Sequence, residues 1–229
     1  MGISFGPIGE AREVQLEAGG RRLNGTLGIP PQARGLVLFA HGSGSSRFSS
    51  RNRHVAQVLR NAGIATLLFD LLTKDEEAED EWTGHLRFNI PMLANRLTDA
   101  TDWVLAQPET RELPIGYFGA STGGGAALVA AAERPSVVRA VVSRGGRPDL
   151  AGEALRRVEA PTLLIVGGDD EPVIGMNQAA MAQMHAKVEL TIVPGATHLF
   201  EEPGTLDEVA RLATNWFRRY LSAASVTQS

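Results

Sequence analysis

The fold of this chain is decided by one stretch of sequence, Pro114-Ile115-Gly116-Tyr117-Phe118-Gly119-Ala120-Ser121-Thr122-Gly123-Gly124-Gly125. It opens as a short apolar and aromatic run that is typical of a strand. It then leads into an alanine-rich run that predicts a helix continuing to Arg134. The turn between them holds Gly119, Ser121 and Gly123 in the pattern Gly-x-Ser-x-Gly. At a strand-to-helix turn this pattern predicts a nucleophile elbow, a strained turn that lifts a serine hydroxyl clear of the edge of the sheet.

The surroundings of Ser121 suit an elbow for two physical reasons. A Cβ atom at Gly119 or Gly123 would strike the adjoining strand or helix, so glycine is expected at both positions. The following helix also directs its N-terminal N–H groups and the positive end of its dipole at any negative charge that forms above Ser121. Because Gly and Ser are common residues, the same pattern also fits an ordinary turn in which Ser121 only caps the helix.

The overall composition is that of a soluble globular protein. The 229 residues are 43% hydrophobic and 21% charged, and the net charge of −4 gives no reason to expect nucleic acid or a membrane as a partner. The absence of cysteine excludes disulfides, thiolate metal sites and a cysteine nucleophile. No apolar run approaches the ~20 residues that span a bilayer, and residues 1–10 show no secretory signal. We therefore expect a cytoplasmic protein.

Strands and helices alternate along the chain. Besides the elbow strand, buried strands are predicted at residues 35–40, 65–70, 140–143, 162–166 and 188–193. Helices are predicted at residues 52–62, from Pro91 onward, at 150–158 and at 175–185. A final amphipathic helix carries one apolar stripe, formed by Leu206, Val209, Ala210, Ala213, Trp216, Phe217 and Tyr220.

This alternation predicts the α/β fold class, with a mostly parallel, doubly wound sheet flanked by helices. A β-hairpin around Gly19-Gly20 is expected within residues 1–34, and residues 71–90 form a possible short lid loop. No repeat or linker interrupts the pattern, so residues 1–229 are interpreted as a single domain.

Reactive side chains should gather in the loops at the carboxyl ends of the strands. Four such loops carry candidate groups, namely residues 41–44, Ser121-Thr122, Asp169-Asp170 and residues 195–198. A serine needs a base to take its proton, and the base needs a carboxylate to fix its tautomer. The chain supplies serine, acid and histidine in that order, each after a strand, which is the order expected in α/β-hydrolases.

These motifs together resemble those of α/β-hydrolases of the dienelactone-hydrolase-like group, from about Leu36 to Leu221. The matching segments are His41-Gly42-Ser43-Gly44, Gly119-Ala120-Ser121-Thr122-Gly123, Gly167-Gly168-Asp169-Asp170-Glu171-Pro172-Val173 and Gly195-Ala196-Thr197-His198. The resemblance implies the α/β-hydrolase fold and a triad of Ser121, Asp170 and His198, because the acid-loop pattern of the family resembles Gly-x-x-Asp-x-x-Val. Asp169 is the alternative acid. Dienelactone hydrolases proper carry a cysteine nucleophile, so the serine here disfavours the dienelactone itself as the substrate.

The resemblance also implies roles for the residues around the triad. The backbone N–H groups of Ser43 and Thr122 are expected to form the oxyanion hole. His41 could act as a second base, but it is expected to brace its loop instead. The interval from Arg144 to Ala160 is too short for a cap domain.

Two arginines and an acidic run border the expected pocket. Arg144 and Arg147 follow a strand at its edge, where they could orient a substrate carboxylate or phosphate or could form salt bridges with neighbouring acids. The acidic run at residues 74–81 is interpreted as a solvated face. No histidine and carboxylate spacing suggests a metal site, and no cofactor is expected.

The sequence therefore predicts a serine hydrolase that cleaves small carboxylic esters, lactones or thioesters through an acyl-enzyme. An acyltransferase or perhydrolase would use the same groups, and a non-catalytic small-molecule receptor of the same fold is the alternative from another class. The expected partner is a small-molecule ester, and the expected assembly is a monomer or a homodimer.

Overall fold

The structure is a computed structural model that describes residues 11–221. Its strands form one sheet in the order β1-β2-β4-β3-β5-β6-β7-β8. The strands are β1 Arg12–Ala18, β2 Arg21–Gly28, β3 Leu36–Ala40, β4 Ala65–Phe69, β5 Ile115–Ala120, β6 Val138–Arg144, β7 Thr162–Gly167 and β8 Val188–Val193. The hairpin β1–β2 and the β2–β4 pair are antiparallel, and every neighbour from β4 to β8 is parallel.

Helices cover both faces of the sheet. They are α1 Ser50–Asn61, α2 Lys74–Thr83, α3 Ile90–Ala106, α4 Thr122–Glu133, α5 Glu171–Met181 and α6 Thr205–Leu221, and a 3-10 segment spans Pro148–Arg157. Helices α1 and α6 contact each other on one face, while α3, α4 and the 3-10 segment pack on the other. Two separate apolar clusters fill the two interfaces, as expected when every central strand is buried on both faces.

This architecture confirms the predicted α/β-hydrolase fold, with a mostly parallel sheet, flanking helices and no cap domain within residues 11–221. The predicted hairpin is present, and Gly19 and Gly20 both have positive φ in its two-residue turn. No helix within residues 11–221 is both long and apolar enough to cross a membrane.

Two predicted helices differ from those in the structure, one in its bounds and one in its type. Helix α5 begins at Glu171 rather than at residue 175, because Pro172 suits the first turn of a helix, and it ends at Met181 rather than at residue 185. The predicted helix at residues 150–158 is instead the 3-10 segment, and it is kinked where Gly152 takes a positive φ of 52°. The start of α5 matters for the site because it fixes Asp170 at the helix N-cap.

The prediction that the acidic run is a solvated face was wrong for two of its residues. Glu76 completes a capping box with Thr73 at the start of α2, and its Oε1 accepts a 2.7 Å hydrogen bond from Arg96. Burial alone would raise the pKa of Glu76, but the hydrogen bonds from Arg96 and Thr73 outweigh burial and lower the pKa to about 2. Asp80 is buried and accepts hydrogen bonds from the backbone of Leu86 and from Arg87. Residues 71–90, predicted as a possible short lid loop, thus contain helix α2.

Candidate active site

Ser121 lies at a strained turn between β5 and α4. Its φ of 51° and ψ of −123° are unusual for a residue with a Cβ and place the side chain above the carboxyl edge of the sheet. Neighbouring glycines make the turn possible. A Cβ on Gly123 would lie 2.1 Å from the carbonyl oxygen of Ala40, and a Cβ on Gly119 would lie 2.5 Å from the oxygen of Gly123. The steric expectation for both glycines is confirmed.

Asp170 and His198 lie next to Ser121. The Nδ1 atom of His198 is 2.7 Å from Oδ2 of Asp170, and its Nε2 atom is 3.4 Å from Oγ of Ser121. With Nδ1 protonated toward the carboxylate, Nε2 is free to accept the proton of the serine. The contact to Ser121 is long, which is common in ligand-free active sites. The arrangement has the geometry of an activated nucleophile.

Close backbone packing brings the acid loop and the histidine loop together. Gly167 ends β7, and a Cβ there would lie 2.3 Å from the carbonyl oxygen of Ala196. The N–H of Asp169 donates to that same carbonyl, while the Asp169 side chain is exposed. Asp170, rather than Asp169, therefore faces the histidine ring.

Glu202 is a bracing residue that the sequence interpretation missed. Its carboxylate accepts hydrogen bonds from the backbone N–H of Thr197 at 3.1 Å and from the Thr197 hydroxyl at 2.6 Å. These contacts, led by the bond from the Thr197 side chain, lower the pKa of Glu202. They hold the loop that presents His198. An acid four residues after a loop histidine carries no motif, so only the folded loop reveals this role.

The two residues expected at the oxyanion hole are adjacent. The backbone N–H of Ser43 donates a 2.9 Å hydrogen bond to Oγ1 of Thr122, the first residue of α4. A substrate oxyanion that uses the N–H of Ser43 must therefore compete with the Thr122 hydroxyl or displace it. The helix N-terminus contributes further positive potential at this point.

His41 is buried and holds the loop after β3. Its Nε2 accepts the N–H of Leu71 at 2.9 Å, and its Nδ1 donates to the carbonyl of Gly42 at the same distance. Burial lowers the pKa of His41, although the carbonyl of Gly42 and the charge of Asp70 act in the opposite direction. Both ring nitrogens are engaged, which is the bracing arrangement that was expected.

Ser121 and His198 line a cavity of about 250 Å³. The other lining residues are Gly42, Ser43, Ser45, Ser49, Arg51, Asn52, Ala120, Arg144 and Leu199. Arg144 is thus placed beside the candidate nucleophile. Arg147 is not among these residues, and its guanidinium forms a bidentate pair with Asp149 at 2.7 and 2.9 Å.

Arg51 and Asn52 also line this cavity, although the sequence interpretation did not include them. Both lie in the first turn of α1, which follows the loop of His41. A larger cleft of about 610 Å³ shares Ser45 and Ser49 with the cavity and extends along α2. Its acidic lining residues are Glu77, Asp80 and Glu81. Within residues 11–221, no group of three or more His, Asp or Glu side chains could hold a metal ion.

Comparison with known proteins shows the family and the fold of the chain. The model of the dienelactone hydrolase family matches residues 23–223. The crystal structure of a dienelactone hydrolase from Anabaena variabilis is 61% identical, covers 93% of this chain and 98% of that chain, and superposes with a TM-score of 0.91. The esterase domain of a Rhodothermus marinus protein is 22% identical, covers 93% of this chain and 100% of that domain, and has a TM-score of 0.72, which shows a shared fold.

A curated relative has a different name. A protein of Mycobacterium tuberculosis, strain H37Rv, is provisionally named a phosphoribosyl transferase, and it is 61% identical over 209 residues. The match covers 91% of this chain but only 46% of that protein, so the chain spans about half the length of the curated relatives it matches first. From the family match and the 61% identity to the Anabaena protein, this chain belongs to the dienelactone hydrolase family, whose members have the α/β-hydrolase fold.

Proposed function

We propose that this protein is a serine hydrolase that cleaves small carboxylic esters, lactones or thioesters. The observation that carries the proposal is the continuous chain of contacts from Asp170 through His198 to Ser121 at the elbow. Membership of a hydrolase family supports the reaction class.

The proposed reaction proceeds through a covalent acyl-enzyme. Oγ of Ser121 attacks the carbonyl carbon, and Nε2 of His198 takes the serine proton. Asp170 stabilises the resulting imidazolium through Nδ1–H. The bond to the leaving alcohol or thiol then breaks, and His198 returns the proton to that group. Water next gives a proton to His198 and attacks the acyl carbon, and Ser121 regains its proton as the acid product leaves.

The N-terminus of α4 supports stabilisation of the negative charge on the carbonyl oxygen. The N–H groups of Thr122 and Ser43 are the proposed donors. The N–H of Ser43 would be shared between the substrate oxygen and the Thr122 hydroxyl, to which it donates in the structure. The cavity of about 250 Å³ accommodates a small acyl group. The wider cleft beside α2 offers room for the remainder of the substrate.

We do not propose phosphoribosyl transfer for this chain, because the contacts from Asp170 through His198 to Ser121 are those of an activated nucleophile. The relative with that name extends well beyond the part matched here, and a phosphoribosyl transferase has no need of an activated serine.

A panel of p-nitrophenyl esters of increasing chain length, extended with lactones and thioesters, tests the proposal. Steady turnover with covalent labelling of Ser121 by a fluorophosphonate is the expected result. At most one slow turnover would instead support the non-catalytic receptor. Added alcohols and hydrogen peroxide distinguish the two related activities, because an acyltransferase or perhydrolase would pass the acyl group to them in preference to water.

A further inference from the structure

The cavity beside Ser121 contains a buried arginine that has no acidic partner within residues 11–221. Arg144 is 5% exposed, and its only side-chain hydrogen bond within residues 11–221 runs from Nη2 to Oδ1 of Asn52 at 3.2 Å. Its Nε atom is buried and has no partner in that part of the chain. None of the ion pairs in residues 11–221 includes Arg144, whereas Arg147 nearby is paired with Asp149.

The surroundings of Arg144 disfavour its positive charge. Burial, followed by the positive charge of Arg51, lowers the pKa of Arg144 to about 10, so the guanidinium stays protonated at neutral pH. A buried charge is normally paired, because its lost hydration must be replaced by an opposite charge or by hydrogen bonds. A ligand that carries negative charge would supply both.

The N-terminus of α1 adds a second positive feature to the same cavity. Helix α1 is 12 residues long, begins with Ser49 as its N-cap, and has no acidic residue in its first turn. Arg51 lies in that turn, and its Nε is also buried without a partner within residues 11–221. Among the described residues, its carboxylate contact is with the exposed Glu201 at 3.3 Å, where solvent weakens the attraction. The dipole of the helix and both guanidinium groups therefore act together.

The sheet places Arg144 next to Ser121, the residue that would attack the substrate carbonyl. Residues Ala120 and Arg144 are register partners in β5 and β6, and the N–H of Ser121 donates to the Arg144 carbonyl at 3.2 Å. An anion bound by Arg144 therefore lies in the same small cavity as the serine. The adjoining cleft along α2 is lined by Glu77 and Glu81 and would repel the same group.

We propose that Arg144, Arg51 and the N-terminus of α1 form an anion subsite that binds a carboxylate or phosphate group carried by the substrate. The inference rests on the proposed ester hydrolase activity and narrows its substrate class to esters with one negatively charged end. A guanidinium can bind either group through two parallel hydrogen bonds, so the chemistry of the subsite is shared by the two anions.

The test compares three p-nitrophenyl esters whose acyl chains differ only at the far end. They are the monoadipate, the 5-phosphonopentanoate, and the neutral 6-methylheptanoate, in which an isopropyl group replaces the carboxylate. Wild-type protein should have a higher kcat/KM for one of the anionic esters than for the neutral ester, and the preferred anion identifies the natural group. Arg144→Met and Arg51→Gln should each lose about tenfold or more on the preferred ester and less than about threefold on the neutral ester. Arg147→Met is the matched control and should leave the ratio unchanged.

Thermal unfolding provides a readout that is independent of turnover. Removal of an unpaired buried charge often stabilises a protein, so Arg144→Met should melt at the same temperature as wild type or higher. Adipate or inorganic phosphate should raise the Tm of wild type and leave that of Arg144→Met unchanged.

Three results would overturn the subsite. They are equal losses on all three esters, a loss of selectivity in Arg147→Met as large as in Arg144→Met, and a wild-type protein without preference for an anionic ester. Failure of the proposed function is recognised separately, because wild type would then neither turn over the neutral ester nor react with a fluorophosphonate. Stabilisation by adipate or phosphate that depends on Arg144 would still support the subsite in that case.

Discussion

The Nδ1 atom of His198 lies 2.7 Å from Oδ2 of Asp170, whereas the side chain of the adjacent Asp169 is exposed. Asp170 is the N-cap of α5, whereas Asp169 lies in the preceding turn, where its backbone N–H donates to the carbonyl of Ala196. Asp170 can thus fix the tautomer of His198, whereas the carboxylate of its neighbour Asp169 lies in solvent.

Asp170→Asn should therefore impair ester turnover far more than Asp169→Asn. An amide leaves His198 free to adopt the wrong tautomer and gives the imidazolium no counter-charge, an effect on the order of 10⁴ in kcat in the serine-protease template. The measurement is kcat for one p-nitrophenyl ester with both variants at equal concentration of folded protein. A larger loss in Asp169→Asn would assign the acid to the other residue.

Ser121→Ala should retain the fold and lose ester turnover by roughly 10³-fold or more, because a methyl group cannot form the acyl-enzyme. Alanine, like serine, has a Cβ at this strained position with its φ of 51°. We therefore expect a stability loss no larger than that of other surface-turn substitutions. Circular dichroism checks the fold, and a fluorophosphonate probe should label wild type alone. Equal labelling of both proteins would remove Ser121 from the mechanism.

Much of the fold followed from the sequence because its signals are local. The apolar strands and the stripe on α6 each show their period within a few residues, and the elbow glycines are required by contacts that any strand-turn-helix of this type makes. The order of Ser121, Asp170 and His198 along the chain also predicted their assembly at one edge, since parallel strands end together.

The remaining features depend on contacts between distant parts of the chain. Arg51 and Arg144 are 93 positions apart in the numbering, and only the folded chain brings them into one cavity, where Arg144 donates to Asn52 at the start of α1. Glu76 is part of an acidic run in the sequence, yet it is only partly exposed because it forms an ion pair with the buried Arg96 on the next helix. Sequence periodicity contains no information about such pairings, because either partner alone is compatible with a solvated surface.

Dialysis against EDTA should leave ester turnover unchanged, since every proposed proton transfer uses Ser121 or His198 and no step requires a Lewis acid. The assay is kcat/KM for a neutral p-nitrophenyl ester before and after dialysis, with zinc, magnesium and manganese added back separately. Activity that disappears on chelation and returns with one of these ions would contradict the proposed serine mechanism.

His41 should make the folded protein less stable as the pH falls below neutrality. Its Nε2 accepts the N–H of Leu71 and its Nδ1 donates to Gly42, so the neutral ring suits the fold. Burial is the main cause that lowers the pKa of His41 below its ordinary value of 6.5. Below pH 6.5 the unfolded chain therefore binds a proton that the folded protein excludes. The contribution of neutral His41 to the free energy of unfolding is fully present above pH 6.5. It is lost as the pH falls from 6.5 toward the pKa of His41 in the folded protein.

The variant His41→Gln separates this effect from other titrations. A glutamine oxygen can accept the N–H of Leu71 but does not titrate, so the variant should be less stable than wild type at pH 8 and should lose less stability on acidification. Urea unfolding at half-unit steps from pH 8 to pH 5 measures the difference, whose slope cannot exceed about 1.4 kcal/mol per pH unit for one proton. The exposed His185→Gln is the control and should give a curve parallel to wild type. A parallel curve for His41→Gln as well would show that His41 contributes nothing to the acid sensitivity of the fold.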